Sequence, residues 1–187
     1  MSKGKLMVIS GPSGVGKGTI VQRLMSKRKN CALSISCTTR PPREGEKEGV
    51  SYFFITRERF LQMIEEGGLL EYSEHFSNFY GTPKFFVEQK LKEGNDVILE
   101  IEVDGALQVK KAYKEAILVM IAPPDKDELY SRLKKRGSED EEKIAKRMQR
   151  TDYELSKSPL YDYVIINDVL DEAVGAVAQI LDQGGNT

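Results

Sequence analysis

The strongest structural signal in this chain is the run Gly11-Pro12-Ser13-Gly14-Val15-Gly16-Lys17-Gly18-Thr19. It follows an apolar segment at 6–9 and leads into a segment with helical periodicity at 19–29. Glycine allows positive φ, so successive N–H groups can turn toward phosphate oxygens, and the following helix directs its positive end there. Lys17 adds a charge that can reach the β- and γ-phosphates of a nucleotide. These residues predict a phosphate loop for a nucleoside triphosphate. A Gly-rich turn without a ligand is the simpler alternative.

The position after the lysine bears on metal binding. A phosphate loop of this kind usually has Ser or Thr there, whose hydroxyl coordinates Mg²⁺. This chain has Gly18 at that position, and the hydroxyl comes one residue later, at Thr19. Either Thr19 takes over the role, or the metal keeps an additional water, which Mg²⁺ does readily. The predicted cofactor is Mg²⁺ bound with the nucleotide. Thr19 is the candidate metal ligand, with most ligation through water and phosphates.

Composition limits the classes of function. The 187 residues fit one domain with a sizeable core, and 28 basic against 29 acidic residues give a net charge of −1. That balance argues against sequence-independent binding to nucleic acid, which needs a basic excess. Cys31 and Cys37 lack metal-like spacing and favour a reduced, cytoplasmic compartment. The N-terminal apolar run is too short for a membrane segment, and His75 is interpreted as a surface or packing residue.

Short apolar runs alternate with helical patterns along the chain. This alternation predicts an α/β fold, a P-loop core with a mainly parallel five-stranded sheet flanked by helices. The recognisable strands are at 6–9, 96–103, 117–122 and 163–167. The predicted helices are at 19–29, 106–113, 125–136 with Asp125 as the N-cap, 140–157 and 170–181. The whole chain is predicted to be one domain with its core at 1–37 and 94–187.

The region at about 38–93 interrupts this alternation. It contains Pro41, Pro42, several glycines and the aromatic run 52–54, with at most one good helix at 57–66. An insert between core strands is a place where a second substrate can bind. The alternative is a purely structural insertion with its own small core. Within it, Arg40 and Arg43 are three positions apart on a proline-stiffened segment. Their guanidinium groups can converge on one phosphate dianion, unless both are solvated surface residues.

Several motifs occur in an order typical of one family. They are the phosphate loop, Ser36-x-Thr38-Thr39-Arg40-x-Pro42-Arg43, Glu46-x-x-Gly49-x-x-Tyr52, Asn78-Phe79-Tyr80-Gly81-Thr82, Arg136-Gly137 and Ile166-Asn167-Asp168. Each motif alone is modest, but the ordered set resembles the guanylate kinases over essentially the whole chain. The resemblance implies phosphoryl transfer from ATP to GMP, and to dGMP, giving ADP and GDP in purine nucleotide metabolism.

The resemblance also implies roles for individual residues. The GMP phosphate is assigned to Ser36, Arg40, Arg43, Tyr52 and Tyr80, and guanine or ribose contacts to Glu71, Thr82 and Glu102. ATP is assigned to the nine residues of the phosphate loop and to Asn167. Catalytic roles fall on Lys17, Arg40, Arg132, Arg136 and Arg147. The family commonly has Asp and then Gln where this chain has Glu102 and Asp104, so the length of the first side chain and the role of the second stay open.

Guanine chemistry agrees with the assignment of Glu71. The base presents its N1–H and exocyclic NH₂ donors side by side, and one carboxylate can accept both. Adenine has an unprotonated N1 at the same place, so a buried carboxylate would be left unpaired, a mismatch that can discriminate by about 10⁴-fold. The hydroxyls of Ser36 and Thr82 can donate to O6, and the sequence does not choose between them.

Arginine pairs on two successive helices predict a mobile lid at about 132–150. Arg132 and Arg136 are four positions apart and share a helix face, and Arg147 and Arg150 are three apart on the next helix. Pairing with nearby glutamates is the alternative for some of the four. The predicted mechanism is in-line transfer to an already anionic acceptor oxygen, without a side-chain nucleophile. Lid closure excludes water from the reaction.

Two other functions stay open. The Gly-Lys-Gly-Thr form of the loop also resembles adenylate kinases, so the acceptor can be another nucleoside monophosphate. Guanylate-kinase-like domains also occur as non-catalytic interaction modules, which generally have degraded phosphate loops, unlike this chain. The sequence predicts ATP and GMP as partners, no nucleic acid and no membrane, and leaves the oligomeric state open.

Overall fold

The computed structural model describes residues 3–135 and 141–184. In chain order its elements are β1 (Leu6–Ser10), α1 (Lys17–Lys27), β2 (Cys31–Leu33), β3 (Cys37–Thr38), β4 (Phe53–Phe54), α2 (Arg57–Glu65), β5 (Leu69–His75), β6 (Asn78–Pro83), α3 (Lys84–Lys92), β7 (Asp96–Glu100), α4 (Val103–Ala112), β8 (Ile117–Ala122), α5 (Lys126–Lys135), α6 (Glu141–Ser156), β9 (Tyr163–Ile166) and α7 (Leu170–Gln183). A 3₁₀ turn at Ser158–Leu160 precedes β9. Among the described residues, no helix is both long and apolar enough to cross a membrane.

A five-stranded parallel sheet in the order β2-β7-β1-β8-β9 forms the core, as predicted. All residues of β1 and of β8 are buried, because helices cover both faces of the sheet. Alternate residues face opposite sides. Met7 and Ile9 pack in the cluster that contains α1 and α7, and Leu6 and Val8 pack in the cluster that contains α3 and α4.

Several helices and strands begin or end at residues other than those predicted, for local reasons. The strand predicted at 96–103 ends at Glu100, because Glu102 is the N-cap of α4 and the chain is already helical from Val103. Helix α1 begins at Lys17, directly after Gly16 with φ 98°. The fifth strand, β2, has only three residues and gave no recognisable pattern. By contrast, Asp125 caps α5 as predicted, since the Glu128 N–H donates to Asp125 Oδ1 over 2.6 Å.

The interrupting region contains a second sheet of four strands, β4-β3-β6-β5, with α2 packed on it. The prediction of at most one helix at 38–93 was wrong, because α3 is a second one. Its start at Pro83 has no side-chain cap, so the usual signal for a helix start is missing. The Val87 and Leu91 side chains of α3 are buried in the core cluster on the central sheet. Helix α3 therefore packs on the core, and its Phe85 and Phe86 rings also contact Phe53 of the second sheet.

Helices α5 and α6 pack on each other through Leu129, Leu133 and Ile144. They lie beside the phosphate loop, where the side chain of Leu133 approaches Gly14. Three features of the predicted lid, namely Arg136, the break at Gly137 and the helix start at Asp140, lie outside the described residues.

Candidate active site

The phosphate loop (residues 11–19) joins the carboxyl end of β1 to the start of α1. Two of its glycines are required by the geometry. Gly11 has φ 140°, and a Cβ there would lie 2.1 Å from the Ile121 carbonyl oxygen. Gly16 has φ 98°, and its Cβ would lie 2.6 Å from Nδ2 of Asn167. Any other residue at either position would push the loop away from the neighbouring backbone or from Asn167.

A cavity of about 400 Å³ lies against this loop, and we call it the loop cavity. Of the predicted nucleotide-binding residues, it is lined by Ser13, Gly14, Gly16, Lys17, Gly18 and Thr19. Lys17 Nζ donates to the carbonyl oxygens of Gly11 at 2.5 Å and Pro12 at 3.0 Å, so those two residues help to hold the lysine over the loop.

Val15 and Asn167 support the phosphate loop from the side of the core. The Val15 side chain is fully buried in the core, and its carbonyl accepts a hydrogen bond of 2.8 Å from Asn167 Nδ2. Asn167 follows β9 directly and is itself buried. The sequence predicted that both residues bind the nucleotide. In the structure the Val15 side chain points into the core and its backbone carbonyl binds Asn167. The Asn167 side chain therefore contacts the phosphate loop itself.

A second cavity of about 440 Å³ lies between the small sheet and the carboxyl end of β7, and we call it the insert cavity. Five residues predicted to bind the second substrate line it: Ser36, Tyr52, Glu71, Tyr80 and Glu102. The structure therefore brings together residues that are far apart in the chain. Residues that were not predicted also line it, including Ser73, His75, Glu100, Asp104, Gln108 and Arg150.

Glu71 is the most enclosed charged group of the insert cavity, with only 7% of the residue exposed. Its Oε1 accepts a hydrogen bond of 2.6 Å from the buried Thr82 hydroxyl. Burial raises the pKa of the Glu71 carboxyl, hydrogen bonds from Thr82 lower it, and the nearby Glu102 raises it. A Cβ on Gly105 would lie 2.9 Å from Oε2, so any larger residue there would displace this carboxylate. The Glu71 carboxylate is thus held at a fixed position, where it can accept hydrogen bonds from a ligand.

Arg40 lies next to Tyr52, outside the lining of the same cavity. Its guanidinium is 5.6 Å from the Tyr52 ring centroid and forms a 2.8 Å salt bridge with Glu46. The other oxygen of Glu46 accepts a 2.7 Å hydrogen bond from the backbone N–H of Arg43. These bonds lower the pKa of the Glu46 carboxyl, the Arg40 side chain contributing most. Glu46 therefore organises the arginine segment.

Three of the predicted residues, Arg40, Arg43 and Thr82, do not line the insert cavity. The Arg43 side chain is exposed. Thr82 lies behind Glu71 and lines a smaller neighbouring cavity together with Ser36 and Tyr52.

The lid arginines approach the phosphate loop from α5 and α6. Arg147 NH1 donates to the Ser13 hydroxyl over 2.6 Å. Arg132 donates from NH1 to the Asn167 carbonyl at 3.1 Å and from Nε to Glu128 at 2.9 Å. The third predicted lid residue, Arg136, lies outside the described residues.

Glu100 is the principal residue that sequence reasoning missed. It ends β7 beside Ile9 of β1 and lines both the loop cavity and the insert cavity. Burial raises the pKa of its carboxyl, and Lys17 lowers it. The sequence signal that could have identified Glu100 was its place at the carboxyl end of a central strand, because open parallel sheets bind ligands at that end. His75, interpreted as a surface or packing residue, is one of the residues that line the insert cavity, and its Nε2 lies 3.8 Å from Glu102 Oε2.

The donor set of the loop cavity suits a hard cation that keeps its water. Thr19 offers a hydroxyl and Glu100 a carboxylate, and both line this cavity. Across residues 3–135 and 141–184, no group of three or more His, Cys, Asp or Glu side chains could hold a metal. Mg²⁺ is typically bound by one or two protein oxygens together with phosphates and water, so these residues fit Mg²⁺ better than Zn²⁺.

Comparison with known proteins gives one consistent result. The family model described as Guanylate kinase matches residues 3–184. The chain is 50% identical over 179 residues to the guanylate kinase of Caldanaerobacter subterraneus subsp. tengcongensis, covering 96% of this chain and 87% of that protein. It is 49% identical over 179 residues to a guanylate kinase of Thermus thermophilus, covering 96% and 81%. The crystal structure of guanylate kinase from Anaplasma phagocytophilum superposes with a TM-score of 0.75 at 33% identity, covering 100% and 88%.

Proposed function

The chain belongs to the guanylate kinase family and phosphorylates GMP to GDP with ATP, and from this premise we propose which of its residues perform each part of the reaction. The observation that carries the assignment is the buried Glu71 carboxylate, held by Thr82 in a cavity separate from the loop cavity. A nucleotide base that presents two adjacent N–H donors satisfies this carboxylate, and guanine does so.

On the acceptor side, we assign the insert cavity to GMP. Glu71 accepts the guanine donors, and Thr82 or Ser36 is available for O6. Tyr52, Tyr80 and Arg40 lie together at one end, with Tyr52 and Tyr80 ring centroids 6.2 Å apart, and are assigned to the phosphate. Arg43 joins them if its exposed side chain turns inward. Glu102 is assigned to the ribose or base. The acceptor-binding insert is proposed at about 38–93.

On the donor side, we assign ATP to the loop cavity. The backbone N–H groups of residues 11–19 and the positive end of α1 bind the phosphates, and Lys17 neutralises their charge. Arg132 and Arg147 approach from α5 and α6, and Arg136 is proposed as the third arginine of a lid at about 132–150. Asn167 supports the loop through Val15 and is assigned to the adenosine side.

The proposed reaction is a direct in-line transfer. The acceptor oxygen of GMP is already anionic, so no general base is needed. The protein has to hold two polyanions together and stabilise charge on the equatorial oxygens of the transferring group. Lys17 and the lid arginines provide positive charge from the donor side, and Arg40 provides it from the acceptor side. Closure of the lid excludes water that would otherwise hydrolyse ATP.

We propose Mg²⁺ as the metal that accompanies ATP. Thr19 and Glu100 are the residues that would hold it, directly or through water. When bound, the metal neutralises charge on the β- and γ-phosphates. We also propose that dGMP is accepted and that the protein is cytoplasmic. The second proposal is supported by Cys31 and Cys37, both of which are free thiols.

The function is tested by measuring ADP release from Mg·ATP with GMP, dGMP, AMP, CMP and UMP as acceptors. We expect GMP to exceed AMP in kcat/KM by about 10⁴-fold, because AMP leaves the Glu71 carboxylate unpaired. A preference for AMP would contradict the guanine assignment but not the phosphate loop. A folded protein without turnover on any acceptor would favour a non-catalytic interaction module.

A further inference from the structure

Arg150 of α6 lies between the insert cavity and the phosphate loop. It lines the insert cavity, and it also lines a third cavity of about 290 Å³, which we call the junction cavity. The junction cavity is bounded by the phosphate loop and α6, and its lining includes Gly11, Lys17 and Arg147. Glu102 is the only other described residue that lines both cavities. A phosphoryl group that moves from the phosphate loop to the insert cavity through the junction cavity would pass this guanidinium.

Two carboxylates hold the Arg150 guanidinium from opposite ends. Its Nε donates to Glu154 Oε1 at 3.2 Å, and its NH2 forms a short contact with Glu102 Oε2. The two partners differ in exposure. The Glu154 side chain is 7% exposed, whereas the Glu102 side chain is 53% exposed. The Glu154 contact is therefore enclosed, and the Glu102 contact can be exchanged for another partner.

Glu154 has no role in the reaction described so far, although it lines the junction cavity. Burial raises the pKa of its carboxyl, while Arg150 and Lys17 lower it. An unpaired carboxylate would repel phosphates in this cavity. Paired with Arg150, the same carboxylate has its charge offset and fixes the direction of the guanidinium. It binds Nε, so the terminal nitrogens can bind other partners, and Glu102 holds one of them, NH2.

We propose that Arg150 is a further phosphoryl-binding residue, aimed by the buried Glu154 and held by Glu102 only until the acceptor nucleotide engages Glu102. This proposal rests on the proposed function, in which Glu102 contacts GMP. When GMP occupies the insert cavity, the NH2 group of Arg150 is released and can donate to the transferring phosphoryl group. Glu154 is then a positioning residue, which acts on the reaction only through Arg150.

The proposal predicts a separation of catalysis from substrate binding. Without GMP, the NH2 group of Arg150 is occupied by Glu102, so Arg150 does not contribute to GMP affinity. In Arg150→Met, kcat should fall by about 100-fold, the lower end of the range for loss of one preorganised donor to the transition state. The Kd of GMP alone should stay within about two-fold or become tighter, because Glu102 is freed for the nucleotide. Arg150→Lys should recover part of the lost kcat.

The role of Glu154 is tested with a double-mutant cycle. Glu154→Gln should lower kcat in the wild-type background, because the guanidinium loses its charged partner. In the Arg150→Met background it should have no further effect on kcat, whereas a merely structural role would lower activity in both backgrounds. Lys146→Met is the matched control, since Lys146 lies on the same helix, is 72% exposed and pairs only with Glu142 among the described residues.

The measurements are steady-state kinetics with Mg·ATP and GMP, GMP calorimetry without ATP, and a thermal melt of each variant. A kcat of folded Arg150→Met within two-fold of wild type would overturn the proposal, and so would a tenfold loss of GMP affinity. Additive effects of Glu154→Gln and Arg150→Met would overturn the positioning role. If Glu154→Gln does not fold, Arg150→Met and Arg150→Lys still decide the role of Arg150. Absence of wild-type turnover on GMP would instead contradict the proposed function itself.

Discussion

At the residue scale, Glu71 combines its proposed role in guanine recognition with a cost to stability. Its carboxylate is almost fully buried and accepts one side-chain hydrogen bond, from Thr82. Desolvation disfavours the charged form, so the folded protein holds a proton on Glu71 to a higher pH than the unfolded chain does. Between those two pKa values the free energy of unfolding decreases as the pH rises, and the full cost is present above the folded pKa.

Glu71→Gln should therefore separate stability from activity. At pH above the raised pKa of Glu71 the variant should be more stable than the wild type, because it has no buried charge, and the difference should vanish below about pH 4. Its kcat/KM with GMP should fall by about 10²- to 10³-fold, because one acceptor of guanine donors becomes an amide donor. Thermal melts across pH and GMP kinetics measure both effects. A variant that is less stable than the wild type at neutral pH would contradict the expected sign of the stability change.

Glu100 provides a second prediction at this scale. If it helps to hold Mg²⁺ beside Thr19, Glu100→Gln should raise the Mg²⁺ concentration for half-maximal activity by about tenfold, as is typical for loss of a supporting group at a metal site. The KM for GMP should change much less. A Mg²⁺ titration of activity at fixed ATP measures this, with Glu88→Gln on the surface of α3 as the control. An unchanged Mg²⁺ dependence would remove Glu100 from the metal assignment.

At the element scale, the β5–β6 hairpin has an unusual turn. Phe76 and Ser77 both have positive φ, 49° and 63°, and the Phe76 side chain is fully exposed. Positive φ at both central residues is typical of a type I′ turn, which favours Asn-Gly. A bulky residue in this region is strained, and the described residues provide no packing for Phe76 that would compensate.

Replacing both turn residues, as Phe76→Asn with Ser77→Gly, should raise the free energy of unfolding by about 1 kcal/mol. GMP turnover should stay the same, because neither residue lines the insert cavity. Urea denaturation measures the stability change, and Lys92→Gln on α3 is a surface control. A loss of stability would mean that Phe76 makes a contact important for folding.

At the scale of the whole molecule, the two proposed substrate sites belong to different structural units. The loop cavity belongs to the central sheet and α1, and the insert cavity is formed largely by the small sheet. Helix α6 contacts both sides, because Arg147 reaches Ser13 and the Tyr153 hydroxyl donates to Asp104 over 2.7 Å. The lid helix is therefore positioned to respond to occupancy of either cavity.

Amide hydrogen exchange should resolve these units. GMP alone should slow exchange in β3, β5 and β6, and Mg·ATP alone should slow it in residues 11–19 and the first turn of α1. Both ligands together should slow exchange in α6, since closure needs both cavities filled. UMP serves as the control acceptor. Protection of residues 11–19 by GMP alone would contradict the assignment of the two cavities.

The parts of the site that were predicted from sequence are those carried by contiguous motifs. The phosphate loop was predicted from nine consecutive residues, and the family from an ordered set of such motifs, which the comparisons confirm. The central strands were recognisable because they are buried on both faces and read as continuous apolar runs. Helix α3 and strand β2 were missed, since one lacks a capping side chain and the other has three residues.

The sequence by itself therefore determined the P-loop fold, the family and the nucleotide substrates. Each was predicted from motifs, and the residues within each motif are close together in the chain. Only the tertiary structure decided that Glu100 serves both cavities, that Arg43 stays outside the insert cavity, and that Arg150 lies between the insert cavity and the phosphate loop. Arg150 and Glu102 are 48 positions apart, and no local periodicity relates them. Their contact exists because α6 packs across the carboxyl end of the sheet, and that packing is a property of the folded chain.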